Sequence, residues 1–202
     1  LNGVQSVDKF IENALYDKSY GYYSKKNPFG KKGDFVTAPL ISPLFSEMIL
    51  IWVVSYWINL GKPKKFSFVE LGPGNGAFCK TFCMTLEKFP QFKKSVKIYL
   101  FEKSERLIKI QKNFIKDKNV TWVKNLTQIK NGPALFFGNE FFDSIPIKQF
   151  QVKRSNIYEK FIHFKNGKFK EFLFKKTSKK TIKTLKNFGL LRKTGIIEYP
   201  KK

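Results

Sequence analysis

The chain has 202 residues, 42% of them hydrophobic and 23 of them Phe, which is enough apolar content to bury the core of one domain and excludes a disordered polymer. Its formal net charge of +24 makes RNA, a membrane surface or an acidic protein plausible partners, and a Lys-rich surface without a specific partner is the alternative. The charge is uneven, since residues 148–202 hold 17 Lys and Arg against three acids.

The few cysteines and the apolar stretches disfavour a metal site and a membrane span. Cys79 and Cys83 are expected to share a buried helix face, because the single histidine, His163, is too far away in sequence to complete a ligand set. No metal is therefore predicted, and a reducing compartment fits. The longest apolar stretch, 44–60, is interrupted by polar residues and shorter than a spanning helix, so no transmembrane segment is predicted.

The N-terminal segment, 1–62, is predicted to be helical with one long loop. Ser6 can cap a first helix, and Ser42, followed by a proline, begins a second helix that ends at Gly61. The loop between them, 20–39, is rich in Tyr, Gly and Pro and is longer than a connector needs, which is typical of a functional loop.

The central segment, 63–147, alternates strand-like and helix-like patterns. Such alternation predicts right-handed βαβ units and a parallel sheet, so the fold class is α/β. The predicted strands are 66–71, 96–102, 120–123 and 134–139, and the predicted helices are 76–89 and 104 to about 116.

The final segment, 148–202, is predicted to be a basic β-hairpin and helix that extend the same single domain. Asn166-Gly167 is a type I′ hairpin signal between the last two of three antiparallel strands. The strands are predicted at 148–154, 157–164 and 169–174, the helix at about 178–188, and a final short strand at 196–199.

The stretch FVELGPGNGAF at 68–78 holds three glycines in alternation, directly between a strand and a helix. Gly72, Gly74 and Ala77 satisfy the loose dinucleotide pattern G-x-G-x-x-G/A, whereas Gly72, Gly74 and Gly76 satisfy the tighter G-x-G-x-G. Because a bare turn needs only one glycine, we expect a ligand to approach the backbone closely here.

Glu70 favours one class of cofactor over the other. An acid two residues before the first glycine would repel a pyrophosphate, but it suits the sulfonium and ammonium groups of S-adenosyl-L-methionine (SAM), which has no phosphate. Glu102, which ends the next strand, can accept hydrogen bonds from ribose hydroxyls and is compatible with either cofactor. The alternative for Glu70 is a surface ion pair with a lysine.

The stretch NEFFDSIP follows the fourth predicted strand, which should neighbour the first and place Asn139, Glu140 and Asp143 beside the glycine loop. Two carboxylates can hold a guanidinium by bidentate hydrogen bonds and help to remove its proton, so these residues are candidates for catalysis of methyl transfer. The alternative for Asp143 is a helix cap.

Four segments carry a family resemblance: YGYYSKKNPFGKKGDFVTAPLIS (20–42), FVELGPGNG (68–76), LFEKS (100–104) and NEFFDSIPIKQF (139–150). Together they resemble the MidA family of class I SAM-dependent methyltransferases. The resemblance implies a Rossmann-like sheet, SAM as cofactor, and protein-arginine methylation, which in the mitochondrial member acts on a complex I subunit. It also implies the bacterial cytoplasm as the location, with the mitochondrial matrix as the alternative. The N-terminal helical segment and the basic antiparallel β extension predicted above complete the expected fold.

The resemblance also implies site residues. It assigns Glu140 and Asp143 to the methyl-acceptor side, beside which Asn139 is a candidate by its position. It assigns cofactor binding to a larger set. The covering loop contributes Gly33, Asp34 and Thr37, and the turn contributes Glu70, Gly72, Gly74 and Gly76. Glu102 is the ribose acid, and Asn125 lies on the adenine side.

The chain departs from the family at several points. Leu40 stands where the family usually has Glu, Asn75 replaces an Arg, and Lys124-Asn125 lacks an acid that is often found near the adenine. The family also continues beyond the end of this chain, so we expect a truncated domain whose fourth strand is a sheet edge.

These observations leave three hypotheses about function. The first is a SAM-dependent methyltransferase that acts on protein arginine, with a protein substrate such as a respiratory complex I subunit as its partner. The second is a non-enzymatic assembly or scaffold protein derived from a methyltransferase. An RNA-binding protein is the third and is disfavoured, because the sequence holds no RNP, KH or zinc motif.

Overall fold

The computed structural model describes residues 3–25, 37–130, 132–154, 156–191 and 194–200. The chain forms two compact units, one of Leu1–Lys25 with Ser144–Lys202 and one of Lys26–Asp143. The N-terminal residues up to 25 thus group with the C-terminal part of the chain, and the division at 62 and 147 that the sequence suggests stays a prediction.

The elements of the described residues follow in chain order. They are β1 (Gly3–Ser6), α1 (Val7–Tyr16), α2 (Tyr22–Lys25), α3 (Ala38–Ile41), α4 (Pro43–Asn59), β2 (Phe66–Leu71), α5 (Ala77–Leu86), α6 (Pro90–Ser95), β3 (Val96–Phe101), α7 (Glu105–Phe114), β4 (Val120–Val123), β5 (Ala134–Phe137), β6 (Ile147–Lys153), β7 (Asn156–Lys165), β8 (Lys168–Lys176), α8 (Lys179–Asn187) and β9 (Gly195–Pro200), with 3₁₀ turns at Leu126–Gln128 and Phe142–Ser144.

The unit Lys26–Asp143 contains a four-stranded sheet in the order β4-β3-β2-β5, and all its strand pairs are parallel. This confirms the predicted α/β class with a Rossmann-like sheet, including the prediction that the fourth strand lies beside the first. Within the described residues β5 is a sheet edge, as expected, and Phe136 on it is 51% exposed.

Aromatic packing holds this sheet to its helices. Every residue of β2 is buried, as in a parallel strand that is covered on both faces. The ring of Phe68 on β2 stacks on that of Phe82 on α5, with centroids 4.5 Å apart. Cys79 and Cys83 are buried on α5 with their Sγ atoms 3.8 Å apart, which confirms the predicted buried helix face.

Helix α4 begins and ends where the sequence predicts. Ser42 Oγ accepts a hydrogen bond from the amide of Leu44, and Gly61 follows the helix with φ of 80°. The helix is apolar on all sides, since Leu50 is fully buried while Trp52 is 55% exposed. No helix in the described part of the chain has the length and hydropathy needed to cross a membrane.

The other unit is built on an antiparallel sheet, in the order β1-β7-β6-β9 with β8 paired to β7. Asn166 and Gly167 both have positive φ, 54° and 71°, which confirms the type I′ hairpin signal. Leu185 of α8 is fully buried against the apolar residues of this sheet. Four short elements, β1, α2, α3 and α6, were not predicted, and the helix predicted over 76–89 ends at Leu86.

We expect Phe82→Ala to lower the free energy of unfolding by about 3–5 kcal/mol, because it leaves a cavity against β2. The matched control is Phe136→Ala on the half-exposed edge strand, for which we expect a loss below about 1.5 kcal/mol. Urea unfolding followed by circular dichroism measures both. Equal losses in the two variants would contradict the assigned core.

Candidate functional site

The candidate site lies at the carboxyl ends of the parallel strands. Glu70 on β2 pairs in register with Leu100 of β3 and with Phe137 of β5. Glu102 and Asn139 each lie two residues beyond those partners, so both follow their strands at the same edge of the sheet. Open α/β sheets bind their ligands at this edge.

The glycine turn between β2 and α5 has a left-handed backbone at all three glycines, with φ of 65°, 56° and 85° at Gly72, Gly74 and Gly76. A Cβ added at Gly72 would lie 2.6 Å from Cδ2 of Phe141. The expectation that a bare turn needs only one glycine is therefore wrong, because backbone conformation and packing account for these glycines without a ligand. A cofactor at this turn is therefore indicated by the acids around it and not by the glycines.

Asn75 stabilises the turn from within. Its Oδ1 accepts a hydrogen bond from the amide of Ala77 at 3.0 Å, while the amide of Gly76 donates to the carbonyl of Pro73 at 2.8 Å. The Asn that stands where the family usually has Arg thus holds the amide of Ala77, the first residue of α5, while Gly76 is the N-cap.

Glu70 is a buried acid with an unsatisfied oxygen. The residue is the last but one of the fully buried strand β2 and is only 5% exposed. Its Oε2 has no hydrogen-bond partner among the described residues. Burial, and then repulsion from Glu102, raises the pKa of Glu70 to about 8. The alternative of a surface ion pair with a lysine is therefore wrong, and the site can take a cation that would pair with this carboxyl group.

Glu102 follows β3 at the same edge of the sheet, and both of its carboxylate oxygens have hydrogen-bond partners. Its Oε1 accepts a hydrogen bond from the amide of Ser104 at 2.8 Å, and its Oε2 accepts one from Nε2 of Gln111 at 3.4 Å. Burial raises the pKa of Glu102, whereas these hydrogen bonds lower it. A carboxylate accepts about four hydrogen bonds, so Glu102 keeps capacity for ligand hydroxyls.

A cavity brings Glu70, Gly72 and Gly74 together with part of the predicted covering loop, whereas Gly76 and Glu102 are not among its lining residues. Leu40, which stands where the family usually has Glu, contributes an apolar wall. The cavity is lined by Thr37, Pro39, Leu40, Glu70, Gly72, Pro73, Gly74, Asn75, Ala77, Phe78, Asn139 and Glu140. Gly33 and Asp34, the other predicted residues of the covering loop, lie outside the described residues.

The three candidate catalytic residues are placed differently. Asn139 and Glu140 line the cavity, and Glu140 has φ of 51°, a left-handed conformation that is strained for a residue with a Cβ. Asp143 is exposed within the 3₁₀ turn Phe142–Ser144 and does not line the cavity. Since it lies inside this turn, Asp143 does not occupy the position of an N-cap.

The described hydrogen bonds of Asn125 lie within its own turn. Its Oδ1 accepts a hydrogen bond from the amide of Thr127 at 3.0 Å, and Gln128 bonds back to the amide of Asn125, which together cap the turn Leu126–Gln128. The contact with adenine that the family resemblance implies for Asn125 stays a prediction.

Gln111 and Phe141 belong to the site but were not predicted. Gln111 shares the buried face of α7 with Leu107 and Ile108, and a glutamine at such a core position was the signal that could have found it. Phe141 packs on Gly72, and nothing in its local sequence indicated that contact. Among the described residues no group of three or more His, Cys, Asp or Glu side chains could hold a metal ion.

Comparison with known proteins finds relatives whose names state an activity. The mouse (Mus musculus) protein named "Protein arginine methyltransferase NDUFAF7, mitochondrial" is 31% identical over 173 residues, which cover 74% of this chain and 40% of that protein. The Caenorhabditis elegans protein named "Protein arginine methyltransferase NDUFAF7 homolog, mitochondrial" is 34% identical over 187 residues, which cover 81% and 43%. The chain thus spans about two fifths of the length of these curated relatives.

A solved structure shares the fold. The crystal structure of a Burkholderia thailandensis protein bound to S-adenosyl-homocysteine matches with a TM-score of 0.70 and 21% identity, over 98% of this chain and 52% of that chain. A model of the family described as "Putative S-adenosyl-L-methionine-dependent methyltransferase" matches residues 48–201. Because this match spans most of the chain, the chain belongs to this family of S-adenosyl-L-methionine-dependent methyltransferases, as its resemblance to the MidA family predicted.

Proposed function

We propose that this chain binds SAM through the glycine turn, Glu70 and Glu102, and that it transfers the methyl group of SAM to arginine of a protein. The observation that carries the proposal is the buried carboxyl group of Glu70, whose Oε2 has no partner among the described residues. A cation beside the turn would satisfy that oxygen, whereas a pyrophosphate would be repelled by it. Since the chain spans only part of its relatives, its activity is part of the proposal.

Each acid has a separate task in binding. Glu70, once ionised, pairs with the positive charge of the methionine portion, and Glu102 accepts hydrogen bonds from the ribose hydroxyls. SAM supplies an activated methyl group, whose bond to sulfur breaks as the acceptor nitrogen bonds to carbon and S-adenosylhomocysteine leaves. The chain's contribution to the rate is then mainly alignment, because in-line displacement depends on the placement of the nucleophile.

Arginine as the acceptor is supported by the acids after β5. Glu140 lines the cavity beside the glycine turn, and a strained backbone such as its own is often found at functional sites. With Asp143 it would hold the guanidinium by charge-assisted hydrogen bonds and accept the proton that the nitrogen loses on methylation. The names of the relatives, protein arginine methyltransferases, support the same acceptor.

A protein partner also suits the basic C-terminal part of the chain. Lys175 and Lys176 on β8 and Lys179 and Lys180 on α8 are all exposed. We propose an acceptor protein with an acidic surface that these lysines contact. A respiratory complex I subunit as acceptor stays a prediction, as do the bacterial cytoplasm and its alternative, the mitochondrial matrix, which the relatives named mitochondrial support.

We expect Glu70→Gln to weaken S-adenosylhomocysteine binding about 10- to 100-fold, because the variant keeps the shape of the side chain but loses its charge. Calorimetric titration measures the change. The matched control is Glu87→Gln, which removes an exposed acid paired with Lys93 and should leave the affinity within about twofold of the parent. Unchanged affinity in folded Glu70→Gln would rule out its role, and no binding by the folded parent would favour a scaffold.

The buried acid also predicts how the ligand-free chain responds to pH. With a pKa near 8 against an ordinary value of 4.5, native Glu70 holds a proton that the unfolded chain releases between these values. The free energy of unfolding should therefore fall as pH rises through this range, by at most about 1.4 kcal/mol per pH unit from this residue. Urea unfolding at several pH values should show a shallower fall for Glu70→Gln. Identical slopes would contradict the shift.

The acceptor assignment predicts that Glu140→Gln and Asp143→Asn each slow methyl transfer about 100-fold while S-adenosylhomocysteine affinity stays within about twofold. Transfer of radiolabelled methyl to peptides with a central Arg, and to the same peptides with Lys, measures rate and acceptor. Glu105→Gln, on an exposed acid paired with Lys124, is the control. Label recovered in methyl-lysine would overturn the arginine assignment, and full rates in both variants would overturn the role of the carboxylates.

A further inference from the structure

We propose that Gln111 is a positioning residue that holds the glycine turn and Glu102 in a fixed relation, so that the two halves of the cofactor site form one preorganised unit. The inference rests on the proposed function, in which the turn receives the methionine portion of the cofactor and Glu102 its ribose.

The side chain of Gln111 lies where three strands end. The residue is on α7, is fully buried, and donates from Nε2 to the carbonyl oxygen of Gly74 at 2.7 Å and to Oε2 of Glu102 at 3.4 Å. Its Oε1 accepts a hydrogen bond from Nε1 of Trp122 on β4 at 2.9 Å. One amide thus joins the turn after β2, the acid after β3 and the side chain of a residue on β4.

The orientation of this amide follows from its partners. The indole nitrogen of Trp122 can only donate, so it must face the amide oxygen. The carbonyl of Gly74 and the carboxylate of Glu102 can only accept, so they must face the amide nitrogen, and its two hydrogens serve one partner each. A flipped amide would set donor against donor and acceptor against acceptor.

Two separate hydrogen bonds orient the carboxylate of Glu102. The amide of Ser104 holds Oε1 from the start of α7, and Gln111 holds Oε2 from the second turn of the same helix. With both oxygens held, the carboxylate is oriented before a ligand arrives, and less conformational entropy is lost on binding. This is what a group that accepts from ribose hydroxyls requires.

The same helix also packs on the glycine turn. A Cβ added at Gly76 would lie 3.4 Å from Cγ of Gln111 and 3.0 Å from Cδ1 of Ile115. A polar side chain is not needed merely to fill this space, since an apolar residue would do so without the cost of burying an amide. What the amide adds is the link between Gly74 and Glu102.

The experiment compares two ligands, S-adenosylhomocysteine and its analogue without the ribose 2′-hydroxyl, by calorimetric titration of the full chain. We expect the parent to bind the first about tenfold more tightly. In Gln111→Met, which keeps the volume but has no amide, we expect about tenfold weaker binding of S-adenosylhomocysteine and a preference of about twofold or less. The matched control, Asn113→Met on the exposed face of α7, should keep both values.

Gln111→Glu is a second variant that keeps the shape and the acceptor for Trp122. Its carboxylate would face the carbonyl of Gly74 and the carboxylate of Glu102, so we expect a greater loss of affinity than in Gln111→Met. That loss should shrink as pH is lowered, because the protonated acid regains one donor. A role in the core alone would change neither the preference between ligands nor this pH profile.

The outcomes separate the two proposals. If the folded parent binds neither ligand, the proposed function fails and the role of Gln111 fails with it. If the parent binds and prefers the 2′-hydroxyl but folded Gln111 variants keep the parent's affinity and preference, only the positioning role is overturned. Failure of both variants to fold, judged by circular dichroism, would show that Gln111 serves the fold itself and would also overturn the positioning role.

Discussion

The site depends on one unfavourable arrangement, the burial of the carboxyl group of Glu70 with its Oε2 unpaired among the described residues. The strand that carries it is buried along its whole length, so the acid at its end lies in a region of low polarity. There the neutral form is favoured and the pKa rises to about 8. A group that is costly in the free protein is well suited to bind a cation, because pairing with the ligand removes the cost.

The surrounding structure holds this arrangement in place. The stacked rings of Phe68 and Phe82 fasten β2 to α5, and Phe141 lies against Gly72, which ties the segment with Glu140 to the glycine turn. The proposed cofactor side and the proposed methyl-acceptor side of the site are therefore in direct contact. Rigidity of this kind favours a reaction that depends on the alignment of a nucleophile with a bound methyl group.

Features decided by local sequence were predictable. The four parallel strands and the cap at Ser42 follow from patterns within a few residues, and the proposed role of Glu70 follows from its charge beside the glycines. Contacts between distant residues were not predictable: Gln111 meets Gly74 across 37 positions. The positive φ at each of the three glycines could not be predicted from the sequence either, because a left-handed backbone and a closely bound ligand both favour glycine.

The most direct test is calorimetric titration of the chain with S-adenosylhomocysteine at pH 7, repeated in two buffers of different ionisation enthalpy. With a pKa near 8, Glu70 is mostly protonated in the free chain and must ionise to pair with the ligand's ammonium group. The account predicts binding with release of about one proton. Binding without proton release, or no binding by a chain shown to be folded, would contradict it.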